Sequence, residues 1–301
     1  MVSTKRLFNK REALTGLCFV GPALIYMIAI VGYPMVYNII LSFQNLDVMT
    51  FKGQTQVFIG LDNYRFLLTD PTFLQAMRQT FIFTIACLIF QFSIGFMMAL
   101  FFVNKFPLSG PIRGSIVISY MMPMVVTGML FQNLFQTNTG IVNYILMNTG
   151  IINTPVEWLI SSDWALISVI IANCWVGIPF NMLLLTAGMS NIPKDIYESA
   201  SIDGANWFHR LFKITFPMLK PAILSCLMLG FIYTFRIFDL VIIMTNGGPL
   251  NFTQVLSTYS YRLAFIEYRF SLGSAGAVIL FLCLMVVGLF YLWLIRREEA
   301  N

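Results

Sequence analysis

A few polar residues interrupt the long apolar runs of this sequence, and the first group lies within residues 163–189. Asn173, Gly177 and Phe180 follow the spacing i, i+4, i+7, which places them on one face of a helix, with Val176 beside them. An asparagine amide in hydrocarbon is costly unless it is paired or faces a wet cavity, where it can bind the hydroxyl groups of a solute. Gly177 would leave room for a ring of that solute to approach. Asparagine and glycine also join helices in membranes, so a helix-packing face is the alternative interpretation.

A second polar group lies toward the end of the apolar run at residues 217–245. It consists of Tyr233, Thr234, Arg236, Ile237 and Asp239. Arg236 and Asp239 are three residues apart and can pair on a helix, which lowers the insertion cost of about 2.5–3.5 kcal/mol for a lone charge at the centre of a membrane. Such a pair could steady a helix bundle, or it could act as a gate or contact a ligand, and both interpretations stay open.

The sequence shows no arrangement of residues for catalysis. The phosphate-binding pattern G-x4-G-K-[ST] is absent, which predicts that a partner protein supplies the energy for any active process. The five cysteines lie in the apolar runs without metal-ligand spacing, and His209, the single histidine, lies in a polar stretch. We therefore predict no catalytic residue, no metal and no cofactor.

The composition predicts an all-α membrane protein. Of the 301 residues, 58% are hydrophobic and 10% are charged, well below the ~25% charged residues of ordinary soluble domains. Because a membrane-spanning helix needs ~20 apolar residues, the apolar runs predict six spans. They are residues 13–43, 75–104, 112–136, 163–189, 217–245 and 272–295. A net charge of +5 would suggest nucleic acid as the partner of a soluble protein, but the placement of the basic residues argues against such a partner here.

Most of the basic residues fall on one side of the predicted membrane if the N-terminus is cytoplasmic. By the positive-inside rule, this distribution predicts that both termini are cytoplasmic. The chain then divides into a cytoplasmic segment at residues 1–12, a six-helix membrane domain at residues 13–295 and a cytoplasmic tail at residues 296–301. Residues 190–216 form a polar loop between the fourth and fifth spans, also on the cytoplasmic side. The apolar run that begins at Leu14 is too long for the core of a signal peptide, so we predict that it is a span.

The polar loop carries the signals of two short helices joined by a tight turn. The first helix is predicted to begin at residues 193–195, where a proline and an acid suit a first helical turn. Gly204 then provides a break, because glycine tolerates the left-handed conformation that ends a helix. The second helix is predicted over residues 205–214 and should end before Pro217.

This loop resembles the EAA motif, E-A-A-x3-G-x9-I-x-L-P, of the permease subunits of ATP-binding-cassette (ABC) importers. The match runs from Glu198 to Pro217, with Ser199 in place of the first alanine and Phe216 in place of the leucine. The resemblance implies a coupling helix that docks in a cleft of a separate ATPase subunit, where Glu198 reaches a basic group and Gly204 makes the turn. The residues that it assigns to coupling are Glu198, Ser199, Ala200, Asp203, Gly204 and Ala205.

Two further stretches resemble the carbohydrate-uptake branch of the same family. Residues 58–64 are similar to its F-x-G-L-x-N-Y stretch, and residues 245–249 are similar to the T-x-G-G-P element that ends its fifth span. Similarity to maltose-type permeases implies sugar-contacting positions on two spans. These positions fall on Asn173, Val176, Gly177, Phe180, Gly230, Tyr233, Thr234 and Ile237. Ile237 replaces a polar residue of those relatives, which implies a different sugar or a different pose.

The resemblance implies a type I ABC importer transmembrane domain in the plasma membrane of a prokaryote. It implies four partners: a second homologous permease that forms a heterodimer with this chain, two ATPase subunits, and an extracellular solute-binding protein. The aromatic residues and the lone amide suit a neutral oligosaccharide, whereas Arg236 suits an anionic one. A secondary transporter of a small polar solute, which would work alone, and a membrane enzyme, which would need a catalytic arrangement, are the alternatives.

Overall fold

The computed structural model describes residues 10–48, 57–104 and 106–299, and it describes their side chains from residue 15 to residue 297. The helices are α1 (Lys10–Met27), α2 (Tyr33–Ser42), α3 (Asp62–Thr69), α4 (Pro71–Phe102), α5 (Ser109–Met121), α6 (Met124–Leu134), α7 (Ile141–Asn148), α8 (Ala165–Ser190), α9 (Lys194–Ile202), α10 (Trp207–Arg210), α11 (Phe216–Phe235), α12 (Asp239–Met244), α13 (Leu256–Tyr261) and α14 (Phe270–Glu299). Three π-helical segments, Ile28–Gly32, Leu211–Thr215 and Arg262–Ile266, connect neighbouring helices, and β1 (Gln44–Asn45) pairs with β2 (Val57–Phe58). Most of the predicted N-terminal segment and the last two residues of the predicted tail lie outside the described residues.

The prediction of an all-α membrane protein is confirmed. Within the described ranges, five helical stretches are long and apolar enough to cross a membrane, and a bent helix pair makes six if it counts as one span. The five stretches are Thr15–Ser42, Pro71–Phe102, Ala165–Ser190, Trp207–Phe235 and Phe270–Arg297.

The third predicted span, residues 112–136, is not a straight helix. It consists of α5 and α6, which meet at an angle of 98°. The cause lies at the junction, where Met122 adopts an extended conformation with φ −72° and ψ 137° before Pro123. A residue that precedes proline is pushed out of the helical region, and proline itself lacks the N–H that would continue the helix.

The helix of the fifth span begins earlier than we predicted, because Pro217 does not stop it. One continuous helical stretch runs from Trp207 to Phe235. A proline ring clashes with the carbonyl four residues earlier in a regular α-helix, but the π-helical segment Leu211–Thr215 widens the helix just before Pro217. The second short helix predicted at residues 205–214 is therefore the first part of the membrane helix.

The same span ends as a helix earlier than predicted, because residues 236–238 are not helical. Backbone groups at membrane depth must find partners inside the protein. The N–H of Ile237 donates to the carbonyl of Thr234 at 3.1 Å, and the hydroxyl of Ser257 donates to the carbonyl of Ile237. These partners stabilise an irregular turn between α11 and α12.

The helices α4 and α8 form the centre of the bundle and run in the same direction. One apolar cluster joins their first halves through residues such as Phe83 and Val169, and another joins their second halves through residues such as Ala99 and Leu185. The backbones approach closely at Gly95, where a Cβ atom would lie 2.5 Å from the Cβ atom of Asn181. These two helices therefore hold the other elements in position.

The stretch Thr15–Ser42 stands apart from this centre. None of the residues in its most apolar window is buried inside the chain, and side chains such as Phe19 and Ile25 are largely exposed. Apolar surface of this extent must be covered by lipid or by another protein chain.

We predict that Gly95→Ala destabilises the protein by about 1–3 kcal/mol, because the new methyl group would overpack the contact between α4 and α8. Thermal unfolding of the purified chain in detergent measures this effect. Gly114→Ala on α5 is the matched control, since among the described residues no atom beyond the local helix backbone lies within 4 Å of its Cβ position. Equal stability of the two variants would contradict the close approach.

Candidate functional site

A cavity of about 440 Å³ lies between α4, α5, α8 and the break in the fifth span. It is lined by Gln91, Tyr120, Met124, Asn173, Val176, Gly177, Phe180, Gly230, Tyr233, Thr234, Arg236, Ile237, Phe238 and Asp239. Every residue predicted to lie along a solute pathway is in this list, together with Gly230. The fold thus brings the two polar groups of the sequence to one place.

Asn173 contributes a buried amide to this cavity. Asn173 is only 4% exposed, and its side chain lies beside the thiol of Cys87, but its Nδ2 atom makes no hydrogen bond of ordinary geometry to a described residue. Native proteins pair nearly all buried polar groups, and an unpaired amide costs about 1–3 kcal/mol. The nitrogen itself has almost no accessible surface, so a ligand reaches it only when the side chain turns toward the cavity.

Gly177 lines the cavity, but the space above it is occupied. A Cβ atom at this position would lie 2.2 Å from Cδ and 2.4 Å from Oε1 of Gln91. The expectation that Gly177 leaves room for a ring of the solute is therefore wrong. The glycine instead makes room for the side chain of Gln91, which reaches across from α4.

Aromatic rings form one side of the cavity. Tyr120 stacks on Phe180 with ring centroids 5.7 Å apart, and Phe180 meets Tyr233 edge to face at 6.3 Å. The guanidinium carbon of Arg236 lies 5.4 Å from the centroid of the Tyr233 ring, within the range of a cation–π interaction. The arrangement offers both apolar ring surface and a positive charge to a bound molecule.

The ion pair that the spacing of Arg236 and Asp239 would allow is not formed in the part of the chain that the structure describes, where the ion pairs within 4 Å involve other residues. The helix ends at Phe235, so the two side chains do not lie on neighbouring turns of one helix. Arg236 follows the last residue of α11, and Asp239 is the first residue of α12. Each charge has the sign that its helix end favours.

Four lining residues were missed by the sequence reasoning, namely Gln91, Tyr120, Met124 and Phe238. Gln91 carried a signal, because an amide in the middle of an apolar run is as costly as that of Asn173. Tyr120 carried none, since a tyrosine near the end of an apolar run is ordinary. Its position in the wall depends on the bend between α5 and α6.

The second candidate site is the turn that follows α9. The helix ends there in a Schellman motif. The N–H of Gly204 donates to the carbonyl of Ser201 at 3.2 Å, and the N–H of Ala205 donates to that of Ala200 at 2.9 Å. Gly204 has φ +79°, in the left-handed region that favours glycine. The predicted helix and turn are thus both present.

Contacts between side chains fasten α9 to the start of the membrane helix. The hydroxyl groups of Tyr197 and Thr215 lie 3.0 Å apart, and Nη1 of Arg210 donates to Oγ of Ser201 at 2.9 Å. Leu211 is buried against the second halves of α4 and α8. A displacement of α9 would therefore be transmitted to the membrane helix.

The residues predicted to couple to a partner lie on an open surface. Glu198, Ser199, Asp203 and Gly204 are exposed, and Ala200 and Ala205 are half-buried. Beside them, Ile202 is 87% exposed and Trp207 is 53% exposed. A mixture of carboxylates and uncovered apolar side chains is suited to contact with another protein.

The continuous helix Trp207–Phe235 joins the two candidate sites. Its 29 residues span roughly 44 Å at about 1.5 Å per residue. One end adjoins the turn at Gly204, and the other adjoins Arg236 in the cavity wall. A cavity with polar and aromatic walls at one end of a membrane-spanning helix, and an exposed turn at its other end, are features of a membrane permease.

Comparison with known proteins agrees with this class. The family model described as "Binding-protein-dependent transport system inner membrane component" matches residues 91–299, and the chain belongs to that family. It is 34% identical over 100% of both chains to the lactose transport system permease protein LacF of Rhizobium radiobacter. It is 31% identical to the sulfoquinovosyl glycerol transport system permease protein SmoG of Agrobacterium fabrum, over 98% of this chain and 94% of that protein.

Solved structures show the same fold. A bacterial ABC transporter involved in the import of the acidic polysaccharide alginate matches with a TM-score of 0.81 at 24% identity, over 96% of each chain. The alginate transporter in complex with an alginate pentasaccharide-bound periplasmic protein matches with a TM-score of 0.82 at 22% identity, over 96% of each chain. The chain is thus a multi-pass plasma-membrane permease of the sugar ABC importer type, and it is a transport subunit rather than an enzyme.

We predict that Asn173→Leu leaves the stability of the chain unchanged or raises it by about 1 kcal/mol, because it removes a buried amide with an unpaired nitrogen. The same variant should lose most solute transport. Thermal unfolding in detergent and uptake into proteoliposomes measure the two effects.

Asn181→Leu, two turns further along the same helix, is the matched control. Its Nδ2 atom donates to the carbonyl of Gly177 at 2.8 Å, and its Oδ1 atom accepts from the thiol of Cys226 at 2.8 Å. This variant should be less stable by about 1–3 kcal/mol. A stability loss at Asn173 equal to that at Asn181 would show that Asn173 serves packing.

Proposed function

We propose that this chain is the transmembrane subunit of an ATP-driven importer that moves a sugar or oligosaccharide into the cytoplasm by alternating access. The observation that carries the proposal is the continuous helix Trp207–Phe235, which connects an exposed turn to a cavity with polar and aromatic walls. ATP binding would close two ATPase subunits, move α9 and tilt the spans. The cavity would then open to the other side of the membrane.

The proposed partners are a second homologous permease, two ATPase subunits and an extracellular solute-binding protein. In the proposed orientation residues 190–216 and both termini are cytoplasmic, because the basic residues concentrate on that side. The uncovered apolar side chains Ile202 and Trp207 support an ATPase contact. The similar alginate transporter, which was solved in complex with a pentasaccharide-bound periplasmic protein, supports a binding-protein partner.

The cavity residues receive individual roles in this proposal. The side-chain amide of Asn173 turns toward the cavity and donates to a hydroxyl or ring oxygen of the saccharide. The faces of Phe180 and Tyr233 pack against the apolar side of a sugar ring. Val176, Thr234 and Ile237 are buried and shape the wall around them.

The cavity favours a saccharide that carries an acidic group, which narrows the proposed class of substrate. The side chain of Arg236 is exposed to the cavity and is not ion-paired with Asp239. Guanidinium groups bind carboxylates and sulfonates through charge-assisted hydrogen bonds. Two of the similar proteins are named for acidic carbohydrates, sulfoquinovosyl glycerol and alginate, while LacF is named for the neutral sugar lactose.

The proposal predicts ATP-dependent uptake by the complex that is purified from native membranes through a tag on this chain. Proteoliposomes loaded with ATP are tested with labelled lactose, trehalose, sulfoquinovosyl glycerol and alginate trisaccharide. At least one of these saccharides should accumulate, and ATP hydrolysis should rise in its presence. Accumulation by this chain alone without ATP would instead establish a secondary transporter.

We further predict that Gly204→Val abolishes uptake and the stimulated ATP hydrolysis, because a β-branched residue at φ +79° distorts the turn. Gly150→Val is the matched control. Gly150 has φ +73°, and in the described part of the chain no atom beyond the adjoining residues lies within 4 Å of either glycine's Cβ position, so both substitutions strain the backbone alike. Loss of uptake in both variants, or in neither, would refute the assignment of the turn to coupling.

The variant Arg236→Gln tests whether the imported saccharide is acidic. If the imported saccharide is acidic, this variant should lose at least about tenfold in uptake, since a hydrogen bond to a charged group contributes about 1.5–3 kcal/mol. Arg113→Gln on α5, which does not line the cavity, is the control. Selective uptake of neutral sugars by the wild-type complex, unchanged in Arg236→Gln, would exclude an acidic substrate.

A further inference from the structure

Gln91 fills a gap in the wall of the cavity. No sequence motif includes this residue. Its side chain is 4% exposed and lies against the bare backbone of Gly177, where a Cβ atom would be 2.2–2.5 Å from its amide atoms. The glutamine comes from α4 and the glycine from α8. The two residues therefore fit as a side chain and a matching gap.

The amide of Gln91 is also held by a hydrogen bond. Its Nε2 atom donates to the backbone carbonyl of Asn173 at 3.1 Å, one turn before Gly177 on α8. This contact fixes the amide along the backbone of the helix that carries the unpaired Nδ2 group of Asn173. Buried side chains with such contacts hold one rotamer, so the wall has a defined position.

We propose that Gln91 is a specificity-determining residue that sets the depth of the cavity and thereby the length of saccharide that enters it. The inference rests on the proposed function. Gln91 and Gly177 both line the cavity, so the space that the glutamine fills is continuous with the space that a ligand would fill. A smaller residue at position 91 extends the cavity toward α4, and any side chain at position 177 pushes the amide into the cavity.

The first test is the effect of Gln91→Ala on the lengths of saccharide that are imported. The purified complex is reconstituted with its binding protein, and kcat/KM for uptake is measured for the di-, tri- and tetrasaccharides of the series that the wild type imports. We expect the ratio for the longer over the shorter saccharides to rise about tenfold, because a pocket that gains space for a few atoms changes discrimination by about that factor. The binding protein is the same in each assay, so its own preference cancels when ratios are compared.

The variant Gln91→Leu tests whether Gln91 acts through the volume of its side chain or through its hydrogen bond. Leucine fills a similar space but cannot donate to the carbonyl of Asn173. If Gln91 acts by volume, this variant keeps the wild-type ratio of longer to shorter saccharides, even where its overall rate falls. A shift like that of Gln91→Ala would overturn the assignment of depth to side-chain volume.

The second test is a rescue. Gly177→Ala should lower uptake at least tenfold, because the new methyl group overlaps the amide of Gln91 and displaces it into the cavity. The double variant Gly177→Ala, Gln91→Ala should recover uptake, since the methyl group then has space. Failure of the double variant to exceed Gly177→Ala would refute the fit between the two residues.

Gln79→Ala is the matched control, because Gln79 lies on the same helix and does not line the cavity. Its saccharide ratio should equal that of the wild type. Thermal unfolding of each variant shows whether a lower rate comes from a less stable protein. If Gln91→Ala lowers the uptake of all lengths equally, Gln91 has a packing role only; if the wild-type complex imports no saccharide, the proposed function fails first, and this inference fails with it.

Discussion

The helices α4 and α8 pack against each other along their length, and this contact positions the other elements of the bundle. In hydrocarbon there is no hydrophobic force to bring helices together, so close packing and hydrogen bonds must do so. Gly95 lets the backbones approach, and the amide of Gln91 fills the gap above Gly177 while it binds the carbonyl of Asn173. This pair of helices thus provides a firm wall against which the more irregular helices are placed.

The irregular helices follow from a second constraint, which is that backbone groups at membrane depth need partners. The fifth span can break at Ile237 because Ser257 binds the carbonyl that the break exposes. The third span bends by 98° before Pro123, and the proline has no N–H to satisfy. Both irregularities face the same cavity, where they place Tyr120 and Arg236 opposite α8.

One continuous helix connects the two candidate sites, and the proposed function depends on this connection. The helix that starts at Trp207 and ends at Phe235 has the exposed turn of Gly204 at one end and the broken part of the fifth span at the other. The contact between Tyr197 and Thr215 ties the turn to that helix. A motion imposed at the turn would therefore reach the cavity wall through a single helix, without intermediate loops. The proposed alternating access requires such a direct connection.

The class of fold, the turn at Gly204 and most of the polar residues that line the cavity were marked in the sequence, which left a binding face and a packing face as alternatives for Asn173. Apolar runs of sufficient length require a membrane, a glycine at the end of a helix allows a left-handed turn as at Gly204, and a lone amide such as Asn173 is too costly to be incidental. Two features of the cavity followed from the three-dimensional packing alone: Gln91 fills the space at Gly177, and Arg236 does not pair with Asp239. The fit at Gly177 depends on a residue 86 positions away in the chain. The separation of Arg236 from Asp239 depends on a helix break that the distant Ser257 stabilises. Local spacing in the sequence therefore predicts neither feature.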